Sequence, residues 1–241
     1  MGVISYLCGI VLNKLFIVHF TMGPKVSEID NIDLRVEYYF GTDNRASLAL
    51  FRKEIDNPVE RAIPDASGSA AVGITFRNQR SAVLDGIELD FNTTLIDSDD
   101  FRVFLNGNFS YIDSSVALAA KSLQLEGAGS DGRPLQGQSE SLANLQIGYD
   151  HYPTDQKLTL LVNHFDDRIY RVARGAALGP VVESGRTLVD LNYENILAER
   201  WTLKVKVKNL TNEAVSYTQN NRTIELYEVG KSLNMSLTYQ L

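Results

Sequence analysis

From position 31 onward, apolar and polar side chains alternate with a period of two. Ile32, Leu34, Val36, Tyr38 and Phe40 interleave with Asn31, Asp33, Arg35, Glu37 and Tyr39. Phe101, Val103, Leu105, Gly107, Phe109 and Tyr111 do the same with Arg102, Phe104, Asn106, Asn108 and Ser110. Trp201, Leu203, Val205 and Val207 alternate with Thr202, Lys204, Lys206 and Lys208. At the end of the chain, Leu233, Met235, Leu237, Tyr239 and Leu241 alternate with Ser232, Asn234, Ser236, Thr238 and Gln240. Successive side chains of a strand point to opposite faces, so each run is a strand with one apolar and one polar face. Weaker versions over 46–55, 82–95, 141–149, 157–169 and 187–196 bring the expectation to about nine strands, with no comparable helical period. The fold class is all-β.

The connections add a direction. Those at 41–45, 96–100, 150–156 and 197–200 are short and rich in Asp, Asn, Gly or Pro, as tight turns are. Between them lie long segments, 57–81, 112–140, 171–186 and 211–225. Short and long alternate throughout. An antiparallel up-and-down sheet then carries every short turn at one end and every long loop at the other, and loops of that length are uncommon unless functional.

Composition narrows the setting. The 241 residues are long enough to bury a sizeable core, and 44% hydrophobic with 22% charged residues exclude a disordered or fibrous chain. A net charge of −7 argues against a nucleic-acid partner. The mean hydropathy of −0.13 excludes a helical membrane protein but not a transmembrane β-barrel, whose alternating strands average near zero. A single cysteine, Cys8, rules out an internal disulfide framework and a Cys-based zinc site. His19, His151 and His164 are scattered, so no metal centre, no cofactor and no catalytic constellation is proposed, and the chain is not read as an enzyme.

Two readings of the alternation remain. A soluble sandwich or lipocalin-like barrel turns its apolar face inward, whereas a membrane barrel turns it outward. Aromatic residues gather on the apolar face beside the short turns: Tyr38, Phe40, Phe101, Tyr149, Tyr193, Trp201 and Tyr239. That is where a membrane barrel carries its interfacial girdle. The polar face of one strand holds Lys204, Lys206 and Lys208, which suits a wet lumen and equally a solvated face.

Residues 1–21 stand apart as an atypical apolar head. Val3 to Val18 is broken by Ser5, Asn13 and Lys14, no basic region precedes it and no small-residue cleavage site follows. It is read as a strand remnant or an out-of-context start, and Cys8 within it is assigned no chemistry.

Several short motifs dissolve on inspection. GAGSDG at 127–132 matches a dinucleotide fingerprint but lacks the strand and helix that would present a phosphate site, so a flexible loop tip is expected. GKS at 230–232 lacks the upstream glycine of a phosphate loop, and DSDD at 97–100 lacks the glycine and glutamate of a calcium loop. Arg171, Arg174 and Arg186 make one long loop basic, and guanidinium groups there suit an anionic ligand such as a ferric chelate. Solvated loop charges would give the same pattern.

The order of motifs resembles the C-terminal part of a TonB-dependent outer-membrane receptor. LKVKVKNLTNE at 203–213 followed by YEVGKSLNMSLTYQL at 227–241 is similar to that family's NLT(N/D) element and closing strand. DLRVEYYF at 33–40 with FRKEI at 51–55, DGIEL at 85–89 and ANLQIGY at 143–149 resemble further strands of the family, and the likeness covers 22–241. It implies an incomplete antiparallel up-and-down β-barrel, residues 22–241 forming part of a wall that in the family closes at about 22 strands. It also implies uptake of a scarce nutrient, a ferric siderophore or similar, across the outer membrane of a Gram-negative bacterium. The implied partners are outer-membrane lipid, a small-molecule ligand and the outer-membrane assembly machinery. That machinery would read the strand of Leu233, Met235, Leu237, Tyr239 and Leu241. TonB would be engaged through a plug and N-terminal box that match nothing here.

The chain departs from the family pattern at Leu241, where an aromatic residue is expected, and mildly at Lys231, where Arg is commoner. The expectation is therefore a fragment of a receptor. The alternatives are a complete small barrel or porin using the head as an extra strand, which needs an even count of about eight or ten, and a soluble β-sandwich binding protein.

Overall fold

The computed structural model describes residues 6–17, 25–64, 73–198 and 200–240. One ten-stranded antiparallel sheet dominates it. Its members are β1 (Tyr6–Ile17), β2 (Ser27–Phe40), β3 (Asn44–Asp56), β6 (Ser81–Asp97) and β7 (Phe101–Ala117), then β8 (Ser141–His151), β9 (Gln156–Phe165), β12 (Arg186–Leu197), β13 (Trp201–Lys208) and β16 (Ser232–Tyr239). Each strand pairs with its neighbour in that order, and β1 and β16 do not pair with each other. The nine strands from Ser27 onward are those expected, except that β9 ends at Phe165 rather than continuing to 169. The head supplies a tenth, its backbone in register with β2 from Tyr6↔Tyr38 to Ile17↔Ser27. Ten is an even count, but the sheet is open, which removes the small closed barrel as a description of these strands.

The faces decide between soluble and membrane architecture. On β2 the apolar Ile32, Leu34, Val36 and Tyr38 are exposed, while Asp33, Arg35 and Glu37 between them are half-buried. On β3, Leu48 and Leu50 are exposed and Ser47 is buried. This inverts the arrangement of a water-soluble barrel: the apolar side chains point away from the protein. The exposed band continues through Ile87 and Leu89, Ile147 and Tyr149, Leu158, and Leu233 to Leu237. The predicted girdle is assembled across strands, with Trp201 opposite Tyr239 at a ring separation of 4.8 Å and Phe101 5.9 Å from Tyr149. Such a band packs against lipid, and a soluble sandwich does not present it.

The opposite face is polar and laced with side-chain contacts. Arg35 bonds Glu37 at 2.7 Å and lies 3.4 Å from Asp90, Asn144 donates to Asn108, and Lys204 meets Glu194 at 2.9 Å. Two contacts on this face have a steric character. Phe51 lies directly opposite Gly86, and Phe104 directly opposite Gly148. A Cβ at Gly86 would stand 2.2 Å from the Phe51 ring, and one at Gly148 2.0 Å from the Phe104 ring. On the apolar face, Phe91 covers Gly107 in the same way, at 2.6 Å. A strand glycine that admits a neighbouring ring is stabilised by that ring's burial.

The strands β6 and β7 run for 17 residues each. A membrane span needs about 9–11, so the excess stands above the lipid on the long-loop side. There the predicted long loops prove to be folded. The first contains the hairpin β4 (Val59–Ala62) and β5 (Thr75–Asn78), and the second the helix α1 (Ala120–Glu126). The third contains β10 (Arg168–Arg171) and β11 (Val181–Glu183), and the fourth β14 (Val215–Gln219) and β15 (Arg222–Tyr227). Ala82, Val116 and Leu118 make a small core at this end, covered by Leu123 of α1, Leu135 and Ile55. The flexible tip expected at 127–132 is instead ordered: Gly127, at φ 98°, ends α1, and the Asp131 carboxylate accepts from the Leu118 amide at 2.8 Å.

Candidate functional site

The four loops interlock into one roof. β10, β11, β14 and β15 form a single four-stranded sheet, so the third and fourth loops are joined by backbone pairing of Val182 with Thr218 and Glu183 with Tyr217. Gln136 joins the other two to them. Its Oε1 accepts from the Arg61 amide of the first loop, its backbone N–H donates to Glu60, and its Nε2 donates to the Tyr170 carbonyl of the third.

Beneath that junction lies a buried charge cluster that nothing in the local sequence pattern announces. The Arg133 guanidinium donates to Glu60 at 2.8 and 3.0 Å and to Glu126 at 3.0 Å. The side chains of Arg133, Glu60 and Glu126 are 8%, 4% and 2% exposed. One cation faces two carboxylates, so the buried group carries an excess negative charge. Burial pushes the Glu126 carboxyl above the usual glutamate value despite the pull of Arg133, and nearby Glu60 adds to the rise. Burial pulls the Arg133 guanidinium down, yet its two carboxylate partners hold it above its ordinary value.

Two of the three arginines singled out from the sequence come together. Arg171 and Arg174 line a cavity of about 320 Å³ in the roof, and Arg61 of the first loop joins them there. No Asp or Glu is among the described residues that bound it. Arg171 stacks 5.4 Å from the Tyr170 ring and pairs with Glu225 of β15 at 2.7 Å. Arg186 is elsewhere, 5.2 Å from the Phe165 ring and 3.9 Å from Glu183, which binds Arg168 more closely at 2.9 Å. Arg61 was beyond sequence reasoning because only the loop packing carries it to the cavity.

The closing strand places Leu233, Met235, Leu237 and Tyr239 on the apolar face, all exposed, and Leu241 lies outside the described residues. The NLTN element acts as a knot at the root of the fourth loop. Asn209, at φ 56°, donates through Nδ2 to the carbonyls of Glu213 and Gly230 and accepts through Oδ1 from the Glu213 amide. Its own amide donates to Asp190 on β12.

One constellation has the outline of a catalytic relay. His164 Nδ1 lies 2.8 Å from Thr187 Oγ1, and Nε2 lies 3.2 Å from Asp166, which also accepts from Ser141. His164 and Thr187 oppose each other on the outward face of β9 and β12. The residues bounding the cavities described in the roof and wall do not include either of them. These contacts pin the root of the third loop. Among the described residues, no group of His, Cys, Asp and Glu is arranged to hold a metal ion.

An open sheet, apolar outward and polar inward, with tight turns at one end and a folded roof at the other, defines a wall segment of a large outer-membrane barrel. The family described as TonB dependent receptor-like, beta-barrel, matches residues 23–210, and the chain belongs to that family. Solved structures of the same fold include the siderophore receptor PiuA from Acinetobacter baumannii, with 15% identity over 89% of this chain and a TM-score of 0.63. The outer-membrane ferripyoverdine receptor of Pseudomonas aeruginosa, solved bound to ferripyoverdine, has 12% identity over 97% of this chain and a TM-score of 0.68. BauA, the ferric preacinetobactin receptor of A. baumannii, has 18% identity over 97% and a TM-score of 0.56. The chain spans 28%, 31% and 33% of those three chains. No curated protein sequence matches it. The barrel wall lies in the outer membrane of a Gram-negative cell.

Proposed function

We propose that this chain supplies part of the wall and roof of an outer-membrane uptake receptor, and that the roof captures an anionic ferric chelate. The observation that carries the reading is the roof cavity, where Arg61, Arg171 and Arg174 converge with no carboxylate among its described lining in a protein of net charge −7. Guanidinium groups bind carboxylate and catecholate oxygens in a fork that suits such ligands. Two of the similar structures are a receptor for ferripyoverdine and a receptor for ferric preacinetobactin, which supports the same ligand class here.

Capture by this roof is one stage of uptake. Passage inward requires a closed barrel, so the free edges of β1 and β16 pair with further strands of the receptor, because an open edge is untenable in lipid. TonB coupling falls to parts of the receptor outside this wall. The strand bearing Leu233, Met235, Leu237 and Tyr239 is proposed as the surface read during membrane assembly, and Arg186 serves the roof as a structural cation rather than as a ligand group.

The test uses cells displaying the receptor and two iron probes of opposite character, ferric tris(catecholate), which is anionic, and a neutral ferric tris(hydroxamate). The anionic probe is expected to bind in preference, and Arg171→Gln with Arg174→Gln to weaken it about tenfold or more, as the loss of charged hydrogen bonds predicts. Equal binding of both probes, unaffected by the substitutions, would sink the proposal.

A further inference from the structure

The four-stranded sheet of the roof ends differently on its two sides. Its order β10, β11, β14, β15 follows the wall, because the third loop joins β9 to β12 and the fourth joins β13 to β16. The β10 side is sealed by the second loop, whose Gly137 amide donates to the Ile169 carbonyl and whose Gln136 Nε2 donates to the Tyr170 carbonyl, each at 2.9 Å. The β15 side lies toward the open edge of β16, and among the described residues nothing bonds its outer backbone groups. The apolar side chains along that side are barer than those inside the wall. Leu226, Tyr227 and Val229 are 57%, 54% and 68% exposed, and Leu233, Met235 and Leu237 of β16 are 62%, 66% and 57%. Leu50, Leu89 and Ile147, on strands flanked by two neighbours, are 46%, 39% and 38%. One uncovered strip therefore runs from the last wall strand into the roof. A neighbour confined to the membrane would cover Leu233 to Leu237 and leave an apolar patch in water at Leu226 and Val229.

We propose that the strand pairing with β16 runs on above the membrane and that its loop adds a fifth strand to the roof sheet along β15. This rests on the proposed closure of the wall by further strands of the receptor and goes beyond it. The occupant is thus an extended segment of the adjoining loop, with its backbone bonded to the outer N–H and C=O groups of β15 and its alternate apolar side chains over Leu226 and Val229. Two features of the chain set the pattern. β6 and β7 rise out of the membrane as 17-residue strands, and the third and fourth loops are already joined across β11 and β14, by two residue pairs. The pairing of β14 with β15 steps from Tyr217↔Glu225 to Thr218↔Thr223, a bulge that leaves Ile224 unpaired. Such a bulge blunts an edge, so the addition is confined to Glu225–Tyr227, a run as long as β11.

Hydrogen exchange and cysteine labelling test this on the full chain alone and on the receptor purified from cells that display it, both in one detergent. In the receptor, exchange at 225–227 and at 233–237 is expected to be at least about tenfold slower than in the chain alone, since amides that gain a partner exchange only on opening. Leu226→Cys and Val229→Cys, each with Cys8→Ser, should react with a water-soluble maleimide at least about tenfold more slowly in the receptor, because burial removes the thiol from water. Slower exchange at 233–237 with 225–227 and both thiols unchanged would overturn the fifth strand and leave wall closure standing. No slowing at either would overturn both. Slowing at 225–227 in the chain alone that grows with its concentration would give this edge to a second copy and overturn the adjoining loop as its occupant.

Discussion

Replacing Arg133 by methionine should release the roof. The substitution keeps much of the side-chain volume and removes the one cation between Glu60 and Glu126, which are 4% and 2% exposed. Breaking a buried pair from one side costs about 3–5 kcal/mol, because a desolvated charge loses its counterion. The Gln136 amide still donates to Glu60 and Arg77 still attracts Glu126, so the lower end, about 3 kcal/mol, is the appropriate figure. Local opening of the second loop then becomes about a hundredfold more frequent. Hydrogen exchange of peptides spanning α1 and 131–136 reads this directly, with β12 and β13 as unaffected controls.

Glu126→Gln should do little, since it removes the charge that is in excess and keeps an acceptor for Arg133. The pH dependence has a definite sign. Because burial holds the Glu126 carboxyl above its ordinary value of 4.5, the folded roof binds that proton more tightly than the opened one. Protection, corrected for intrinsic exchange, should therefore rise as pH falls toward 4.5 through that window, and the gain should vanish above the raised value. In Glu126→Gln the profile should be flat. Unchanged protection in Arg133→Met, or acceleration by Glu126→Gln equal to that of Arg133→Met, would refute the reasoning.

Three further outcomes are expected. Gly148→Ala puts a Cβ 2.0 Å from the Phe104 ring, so it should destabilise the wall by about 1–3 kcal/mol in urea unfolding from lipid, with Phe104→Ala in the same chain restoring part of the loss. Leu34→Arg, in the exposed apolar band, should cost about 2–4 kcal/mol in the same assay while Asn108→Arg on the polar face costs far less; equal costs would contradict the assignment of faces. Asn209→Ala strands the Glu213 and Gly230 carbonyls and leaves alanine at φ 56°, an expected loss of about 2–4 kcal/mol that protease nicking between 212 and 230 would report.

The wall was legible because its physics is periodic. Ile32 to Phe40 and Trp201 to Val207 declare their faces every second residue, and the Asp, Asn and Gly of the short turns declare the ends. Tyr6–Ile17 escaped the strand count because its run from Leu7 to Leu12 is apolar at both parities, which erases the alternation. The roof escaped for a different reason. Val59–Ala62 and Val181–Glu183 are too short to establish a period, and α1 has only seven residues. Arg171 and Arg174 could be noticed as charges on an acidic chain, but Arg61 and the pairing of Glu60 with Arg133, 73 positions away, exist only through packing.

A wall that alternates apolar and polar residues has an ambiguity of two. Slipping one strand by a single residue turns its faces inside out and is forbidden, but slipping it by two leaves every face correctly matched. The binary pattern alone therefore permits a ladder of near-equivalent pairings. The phenylalanine rings seated on glycines distinguish among them. Moved by two, Phe51 would meet Leu84 or Glu88 in place of Gly86, and Phe104 would meet Gln146 or Asp150 in place of Gly148. Each ring has one opposite position without a side chain, so these contacts act as keys that give the pairing a single zero. With Phe91 on Gly107 between them, they set the zero for three of the strand pairs of the sheet.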